Sequence, residues 1–278
     1  MEPALERIDK NMVAINKYFL RTLPTKANEG DANAKEAMKT KYYELIKGYL
    51  SQPECQFMIK AVIYVCKQFT PFLTKMQTSS PMITSLHNEC SKLLFKVLSC
   101  FIKASALPDK HDGKKLAGLD VKKSNLTLPK MSPSAESSYK DLTQNVQGIV
   151  AKEVFAMLQK SAMYLQKKLS PLKSDLLRYL RVLDPDFYKT LADFGRGDIV
   201  KAAKEFKSFS SADVDAVSLQ WEKFVAFKIK KIEKERIDGF YGRCLKKICS
   251  DEEDYSTLSR FIKTVLSMPS SNASVERG

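Results

Sequence analysis

The 278-residue sequence predicts an all-α protein, built mainly as a helical bundle. Glycine is scarce, with 10 residues in the chain, whereas leucine, alanine, lysine and glutamate, which favour helices, are common. Apolar residues recur every three or four positions through most of the chain, and that spacing is the period of one helix face. No internal repeat of about 20 to 50 residues is visible, so a solenoid is not supported.

The first helical segment is predicted over residues 1–104. Apolar residues form one stripe along 4–22, and Pro24 is expected to end that helix. Another helix is expected after a polar turn around Gly30. Residues 54–77 are apolar on almost every side, which is typical of a helix buried among others. The β-branched run "VIYV" within them also fits a central strand, and the pattern leaves both alternatives open.

Pro81 opens the last helix of this segment, and the periodicity then stops. Residues 105–138 contain three prolines, two glycines and several serines, a composition typical of a long loop. A short extended piece is expected within this loop at 116–121. A connection of this length is usually functional or flexible.

The second helical segment is predicted over residues 139–266. A long helix is expected over 139–169, and Pro171 begins the next one. Gly195 and Gly197 are expected to interrupt the helical pattern, because glycine is a poor helix former.

Ser211 is expected to cap the helix that follows, and Asp251 to lead the last one. Residues 267–278 then read like the opening turn of a further helix. Pro269 is followed by good N-cap residues and then by Glu276, an anion that the N-terminal end of a helix dipole favours. We therefore expect 267–278 to be the truncated start of a helix.

The chain is strongly basic, with a formal net charge of +14 and a pI near 9.4. Residues 56–130 hold twelve lysines against four acidic residues, and a second basic stretch covers 223–236. Such an excess favours polyanionic partners, above all nucleic acid. The alternative, equally open, is that these lysines form ordinary solvated helix faces. The lysines predicted to contact nucleic acid are Lys110, Lys114, Lys115, Lys122, Lys123, Lys228, Lys230 and Lys231.

The six cysteines and two histidines form no metal-ligand pattern, because the chain has no Cys-x-x-Cys and no Cys pair followed by a His pair. Four of the cysteines lie in apolar runs, where a free thiol packs as a small hydrophobe, and this favours a reducing compartment. The charged beginning of the chain is unlike a secretory signal, and no apolar run is long enough to span a membrane. We expect a nuclear or cytoplasmic protein that is not secreted.

No phosphate-binding glycine loop and no nucleophile elbow is present in the sequence. His87 precedes Cys90 by three residues, a spacing that suits a metal, but without a second pair of ligands it is more simply incidental. Trp221, Phe224 and Phe227 lie at helical spacing among lysines. Aromatic residues so placed can stack on bases, although the same spacing more simply gives a core stripe.

Four passages of the chain share a family pattern: "CKQFTPFLTKMQTSSPMITSL" (66–86), "KLAGLDVKKSNL" (115–126), "KLSPLKSDLLRYLRVLDP" (168–185) and "VLSMPSSNASVERG" (265–278). They resemble the helical part of transposases of the hAT (hobo, Activator, Tam3) superfamily, especially transposon-derived zinc-finger proteins of animals. The last passage is the most specific. Family members have a small-residue stretch followed by an acidic-basic pair, and Glu276 with Arg277 matches that pair. The resemblance extends over most of the chain.

The resemblance implies a ribonuclease-H-like α/β core interrupted by a large helical insertion. It also implies that Glu276 is the third carboxylate of a DDE triad, vestigial in this chain, and a ligand of Mg²⁺ or Mn²⁺ in an intact family member. A pair of metal ions needs several carboxylates, and one cannot hold it. The strands that would carry the first two acidic residues do not appear in the sequence. We therefore expect most of the α/β core to be absent, with no cofactor and no enzymatic activity.

Two functions remain open at this point. The first is a transposase-derived, noncatalytic helical domain whose basic faces contact DNA nonspecifically within a larger hAT-type protein. The second is a domesticated protein-interaction scaffold without DNA binding, in which an exposed apolar patch recruits a partner or causes self-association. Association through apolar surface survives salt, whereas polyanion binding does not. No membrane partner is expected.

Overall fold

The structure, a computed structural model, describes residues 2–77, 80–122, 126–127, 129–227, 231–233, 235–249 and 255–268. Its regular secondary structure is helical throughout these residues. Within the same ranges, the single β-type pairing is an isolated antiparallel bridge between Ile102 and Leu126. The all-α prediction is confirmed, and the ribonuclease-H-like resemblance gains no support.

The α-helices are α1 (Glu2–Lys10), α2 (Met12–Lys17), α3 (Leu23–Asn28), α4 (Ala32–Met38), α5 (Lys41–Leu50), α6 (Cys55–Met76), α7 (Leu86–Leu98), α8 (Gly113–Gly118), α9 (Pro133–Lys140), α10 (Gln144–Lys168), α11 (Asp175–Leu180), α12 (Arg196–Lys204), α13 (Ser211–Ala226), α14 (Ile237–Cys249) and α15 (Ser256–Leu266). A π-helix (Tyr18–Thr22) precedes α3, and 3₁₀ turns occupy Ala104–Ala106, Ser170–Lys173, Arg181–Leu183, Tyr188–Thr190 and Ala192–Gly195.

The chain divides into two compact units that are interleaved along the sequence. Unit 1 comprises the described residues up to Pro71 together with Lys96–Leu107 and Asp120–Met163. Unit 2 comprises Phe72–Phe95, Pro108–Leu119 and the described residues from Tyr164 onward. The sequence predicts successive segments, 1–104, 105–138 and 139–266. The structure instead shows that each unit draws on several separate stretches of chain.

The prediction that Pro24 ends the first helix is wrong, because the chain continues into α3. The backbone N–H of Leu23 donates to the carbonyl of Tyr18, five residues back, which is the register of the π-helix. Pro24 lies in the first turn of α3. A missing N–H costs little at that position, since the first N–H groups of a helix have no intrahelical partner.

The apolar stretch that the sequence leaves open between helix and strand is α6, a helix of 22 residues. The helix predicted to open at Pro81 begins later, at Leu86, after a turn.

Ser210 rather than Ser211 caps α13: its Oγ accepts from the backbone N–H of Asp213, and the Asp213 carboxylate accepts from the N–H of Ser210. This reciprocal pair is a capping box.

Residues 105–138 are not one long loop. Asp112 caps α8 by accepting from the N–H of Lys115 at 3.0 Å, so the expected extended piece is helical as far as Gly118. Ser132 caps α9 by accepting from the N–H of Ala135 at 3.3 Å, with Pro133 in the first turn. A cap followed by proline is a helix start signal, and the clustered prolines and glycines obscure it in the sequence.

The core of unit 2 is built around Trp221, whose indole is fully buried. The ring stacks on Phe224 with centroids 5.4 Å apart and meets Tyr188 edge-on at 5.6 Å. Two buried polar groups are satisfied nearby: the Tyr241 hydroxyl donates to the carbonyl of Leu183 at 2.8 Å, and a side-chain amide oxygen of Gln220 accepts from a backbone N–H of α15 at 2.7 Å. The core-stripe interpretation holds for Trp221 and Phe224.

Unit 1 has smaller apolar clusters. Phe57 packs on Tyr139 with ring centroids 5.5 Å apart, and Phe101 meets Phe155 edge-on at 5.6 Å. Separately, Tyr43 of α5 is buried against Phe19 in a cluster with residues of α3 and α4.

Candidate nucleic-acid interface

Four of the sequence-predicted site residues lie outside the described residues. They are Glu276, Lys123, Lys228 and Lys230. Among the groups that the structure does place, no three His, Cys, Asp or Glu side chains come together in a way that could hold a metal ion. The carboxylate cluster that Mg²⁺ or Mn²⁺ would need is therefore not found in the described ranges.

Three of the remaining five lysines are held by carboxylates of unit 2. Lys114 Nζ lies 2.8 Å from Asp175, Lys115 Nζ lies 3.2 Å from Asp112, and Lys231 Nζ lies 3.6 Å from an aspartate, Asp186. The hydrogen bond from Lys114 lowers the pKa of the Asp175 carboxyl. Each of these ammonium groups already has a counter-charge, so it is less available to a phosphate.

Lys231 also borders a polar cavity of about 270 Å³ in unit 2. Across the cavity, the nearly buried Glu89 binds Lys75 and Lys92, each at 2.9 Å. Burial raises the pKa of the Asp184 carboxyl on the same cavity wall. Because the cationic groups there are balanced by carboxylates, the cavity is not a basic surface for DNA.

The other two predicted lysines, Lys110 and Lys122, are exposed, and neither forms an ion pair with any group that the structure describes. Lys110 belongs to unit 2, near α8, and Lys122 to unit 1. The five predicted lysines that the structure describes are therefore divided between the two units, and three of them form ion pairs.

Unit 1 holds further lysines that the sequence places in the basic stretch but not in the predicted site. The residues that follow α7 pair with Thr127 and Lys130: the N–H of Lys130 donates to the carbonyl of Cys100 at 2.7 Å, and that of Thr127 donates to the carbonyl of Phe101 at 3.0 Å. Lys103 follows the bridge between Ile102 and Leu126. This pairing places Lys103 and Lys130 at opposite ends of one short antiparallel connection.

Lys96 also lies close to the same connection, because its charge acts on the thiol of Cys100. Burial raises the pKa of the Cys100 thiol, and the nearby charges of Lys130 and Lys96 act in the opposite direction. Lys96, Lys103, Lys122 and Lys130 are all exposed, and their ammonium groups contact no carboxylate among the described residues. We call these four the unit 1 lysines. Charge counting along the sequence finds them, but it cannot distinguish them from lysines that are ion-paired.

One polar side chain of unit 2, that of His87, is closed to solvent. His87 is fully buried, and neither ring nitrogen has a hydrogen-bond partner in the described structure. Its Nε2 packs so closely on Gly113 that a Cβ at that glycine would lie 2.9 Å from it. Burial, reinforced by the charges of Arg181 and Arg178, lowers the pKa of His87 to about 4. The imidazole is therefore a neutral core group at physiological pH.

None of the helices that the structure describes combines the length and apolar character that a membrane span requires. No family model, no curated protein and no solved structure matches this chain.

Proposed function

We propose that this chain is a transposase-derived, noncatalytic helical domain that contacts the backbone of DNA within a larger hAT-type protein of the nucleus or cytoplasm. The unit 1 lysines carry the proposal, because they are exposed and no described carboxylate neutralises them. The net charge of +14 and the passages that resemble hAT transposases support it further.

The contrast between free and paired lysines gives the proposal its physical basis. A lysine that neutralises a phosphate releases a condensed counterion from DNA, and this release drives nonspecific binding. A lysine already bound to a carboxylate, such as Lys114 on Asp175, must first give up that contact. Its net contribution to DNA affinity is therefore smaller.

The test compares two variants of equal charge. The first changes the unit 1 lysines Lys96, Lys103, Lys122 and Lys130 to Gln, and the control changes Lys67, Lys114, Lys115 and Lys231, each of which is ion-paired. Binding of a short duplex is measured by filter retention at several salt concentrations. Each lost phosphate contact lowers the slope of log K against log salt by about 0.9.

We expect the first variant to lose roughly three to four units of slope and the control to lose markedly less. Undetectable binding by the parent chain, or binding that ignores salt, would contradict the proposed function. An equal loss in both variants would contradict the assignment to the unit 1 lysines.

We also expect the isolated chain to catalyse no strand transfer, since Glu276 alone cannot hold a pair of metal ions. Incubation with supercoiled DNA and Mg²⁺ or Mn²⁺ is expected to leave the DNA intact. A metal-dependent nick that Glu276→Ala abolishes would show the opposite.

The second candidate function is a protein-interaction scaffold without DNA binding. One observation favours it: α5 carries four exposed large apolar side chains on a helix of ten residues. Exposed apolar surface of this kind marks interaction sites. Light-scattering mass measured at low salt with and without a short duplex separates the two functions, because a scaffold without DNA binding gains no mass from the duplex.

A further inference from the structure

Helix α5 presents an apolar stripe to solvent. Its members are Tyr42, Leu45, Ile46 and Tyr49, whose exposed fractions are 75%, 48%, 37% and 64%. Residues separated by three, four and seven positions lie on one helix face. The stripe is therefore a continuous surface rather than scattered single residues.

The orientation of α5 is fixed through a different face. Tyr43 is 2% exposed, and its ring stacks on Phe19 with centroids 6.4 Å apart, while its hydroxyl donates to the carbonyl of Phe19 at 3.4 Å. Thr40 caps the helix by accepting from the N–H of Tyr43 at 3.2 Å. Because Tyr43 anchors the helix, the stripe faces away from the buried side, and no described part of unit 1 covers it.

The pattern of residue types along the stripe is symmetric about its midpoint. Its midpoint lies between Leu45 and Ile46, and Tyr42 and Tyr49 stand at equal distances on either side of it. When two copies of such a helix lie antiparallel, a twofold axis passes through that midpoint. Tyr42 of one copy then faces Tyr49 of the other, and Leu45 faces Ile46. A self-complementary patch of this kind is what a closed twofold dimer requires.

The composition of the stripe favours an apolar partner over a nucleic acid. The centre of the stripe is aliphatic, whereas a base-stacking platform uses aromatic rings in succession. Lys47 lies on the far side of the helix from the stripe, with its Nζ 5.8 Å from the centre of the Tyr43 ring. A phosphate chain following the stripe would not meet that ammonium group.

We propose that α5 is a self-association helix, which pairs antiparallel with α5 of a second copy through Tyr42, Leu45, Ile46 and Tyr49. An aromatic side chain can bury about 150–250 Å² of surface. The two paired stripes contain four tyrosines, so pairing removes on the order of 800 Å² of surface from water. This lies below the roughly 1,200 Å² at which stable interfaces begin. The dimer is therefore weak and concentration-dependent. This inference is independent of DNA binding.

Sedimentation equilibrium of the full chain without nucleic acid tests the proposal. We expect the weight-average mass to rise from 31.5 kDa towards twice that value with concentration, at high salt as well as low. Tyr42→Glu is expected to weaken the dimer at least tenfold. The matched control is Val13→Glu, since Val13 is 83% exposed in unit 1 but lies on another helix. Circular dichroism verifies that both variants fold.

A double variant tests the antiparallel register. In Tyr42→Glu with Tyr49→Lys, antiparallel pairing puts each new carboxylate opposite a new ammonium group of the other copy, whereas parallel pairing puts like charges together. Recovery of the dimer relative to Tyr42→Glu alone, at low salt, supports the proposed geometry.

Three results would overturn the proposal. The first is a chain that stays monomeric at every concentration. The second is an equal effect of Val13→Glu and Tyr42→Glu. The third is a monomeric chain that binds a single-stranded oligonucleotide and loses this binding in Tyr42→Glu, because the stripe would then be a stacking surface for bases.

Discussion

His87 limits the pH range over which unit 2 is stable. Its pKa is about 4 in the folded protein and about 6.5 in an unfolded chain. Below pH 6.5 the unfolded chain takes up a proton that the folded protein does not, so the free energy of unfolding falls as the pH falls towards 4. Above pH 6.5 this contribution is complete and constant.

We expect His87 to lower the free energy of unfolding by about 2 kcal/mol between pH 7.5 and pH 5. Urea unfolding followed by circular dichroism at both pH values measures the change. His87→Gln removes the titration and should flatten the pH dependence. His111→Gln is the matched control, because burial also lowers the pKa of His111 but that side chain is only half-buried. An identical pH dependence in the parent and in His87→Gln would show that His87 is not responsible.

Lysines show at the residue scale what a sequence can and cannot reveal about a charged site. The excess of lysine in residues 56–130 is visible without any structure. Whether a given lysine is free depends on carboxylates far away in sequence: Lys114 pairs with Asp175, 61 residues later. No local pattern encodes such a pairing, so the predicted site mixed free and neutralised lysines.

At the scale of elements, the turn before α12 depends on Gly195. Its φ is +77°, and a Cβ there would lie 2.3 Å from Cγ2 of Val182. Gly195→Ala combines backbone strain with a clash in the core, and we expect it to cost about 1–3 kcal/mol or more. Thermal unfolding followed by circular dichroism measures the loss.

Gly197, two residues further along, provides the comparison. It lies inside α12, and a Cβ there would meet nothing within 4 Å. Gly197→Ala should therefore be neutral or stabilise by up to about 1 kcal/mol. If both substitutions had the same effect, the special backbone conformation at Gly195 would be refuted.

The cap of α13 gives a second prediction at this scale. Ser210 accepts from the N–H of Asp213 at 3.2 Å, whereas Ser211 is the exposed first residue of the helix. We expect Ser210→Ala to cost about 1 kcal/mol and Ser211→Ala to change the unfolding midpoint very little. A larger effect at Ser211 would restore the assignment made from sequence.

A helix was predictable where apolar periodicity on one face is long, as in α10, because burial of that face dominates the choice of structure. For α6, which is apolar on almost every side, the pattern left a strand open as well. Short helices were not predictable from the sequence. Only six residues form α8, too few for a period to emerge, and the capping role of Asp112 becomes visible only in three dimensions. At Pro24 a rule about helix ends failed, because the π-helix had already shifted the hydrogen-bond register.

At the scale of the whole molecule, the sequence predicts the all-α class but not the division into units. Unit 2 joins Phe72–Phe95 and Pro108–Leu119 to the chain beyond Tyr164. Contacts between such distant stretches depend on which apolar faces fit together. The amide of Gln166 illustrates this, since it donates to the carbonyls of Leu116 and Leu119 at 3.0 and 2.8 Å.

Trp221 is the single tryptophan of the chain, and it lies in the core of unit 2 with its Nε1 donating to the carbonyl of Phe194 at 3.1 Å. When the tryptophan is excited selectively, without the 11 tyrosines, the fluorescence of the protein is therefore a property of one unit. Its emission wavelength follows the exposure of that indole to water and does not respond to helices elsewhere. A denaturation recorded at once by emission and by ellipticity distinguishes melting of this core from loss of total helix, with no label added to the protein.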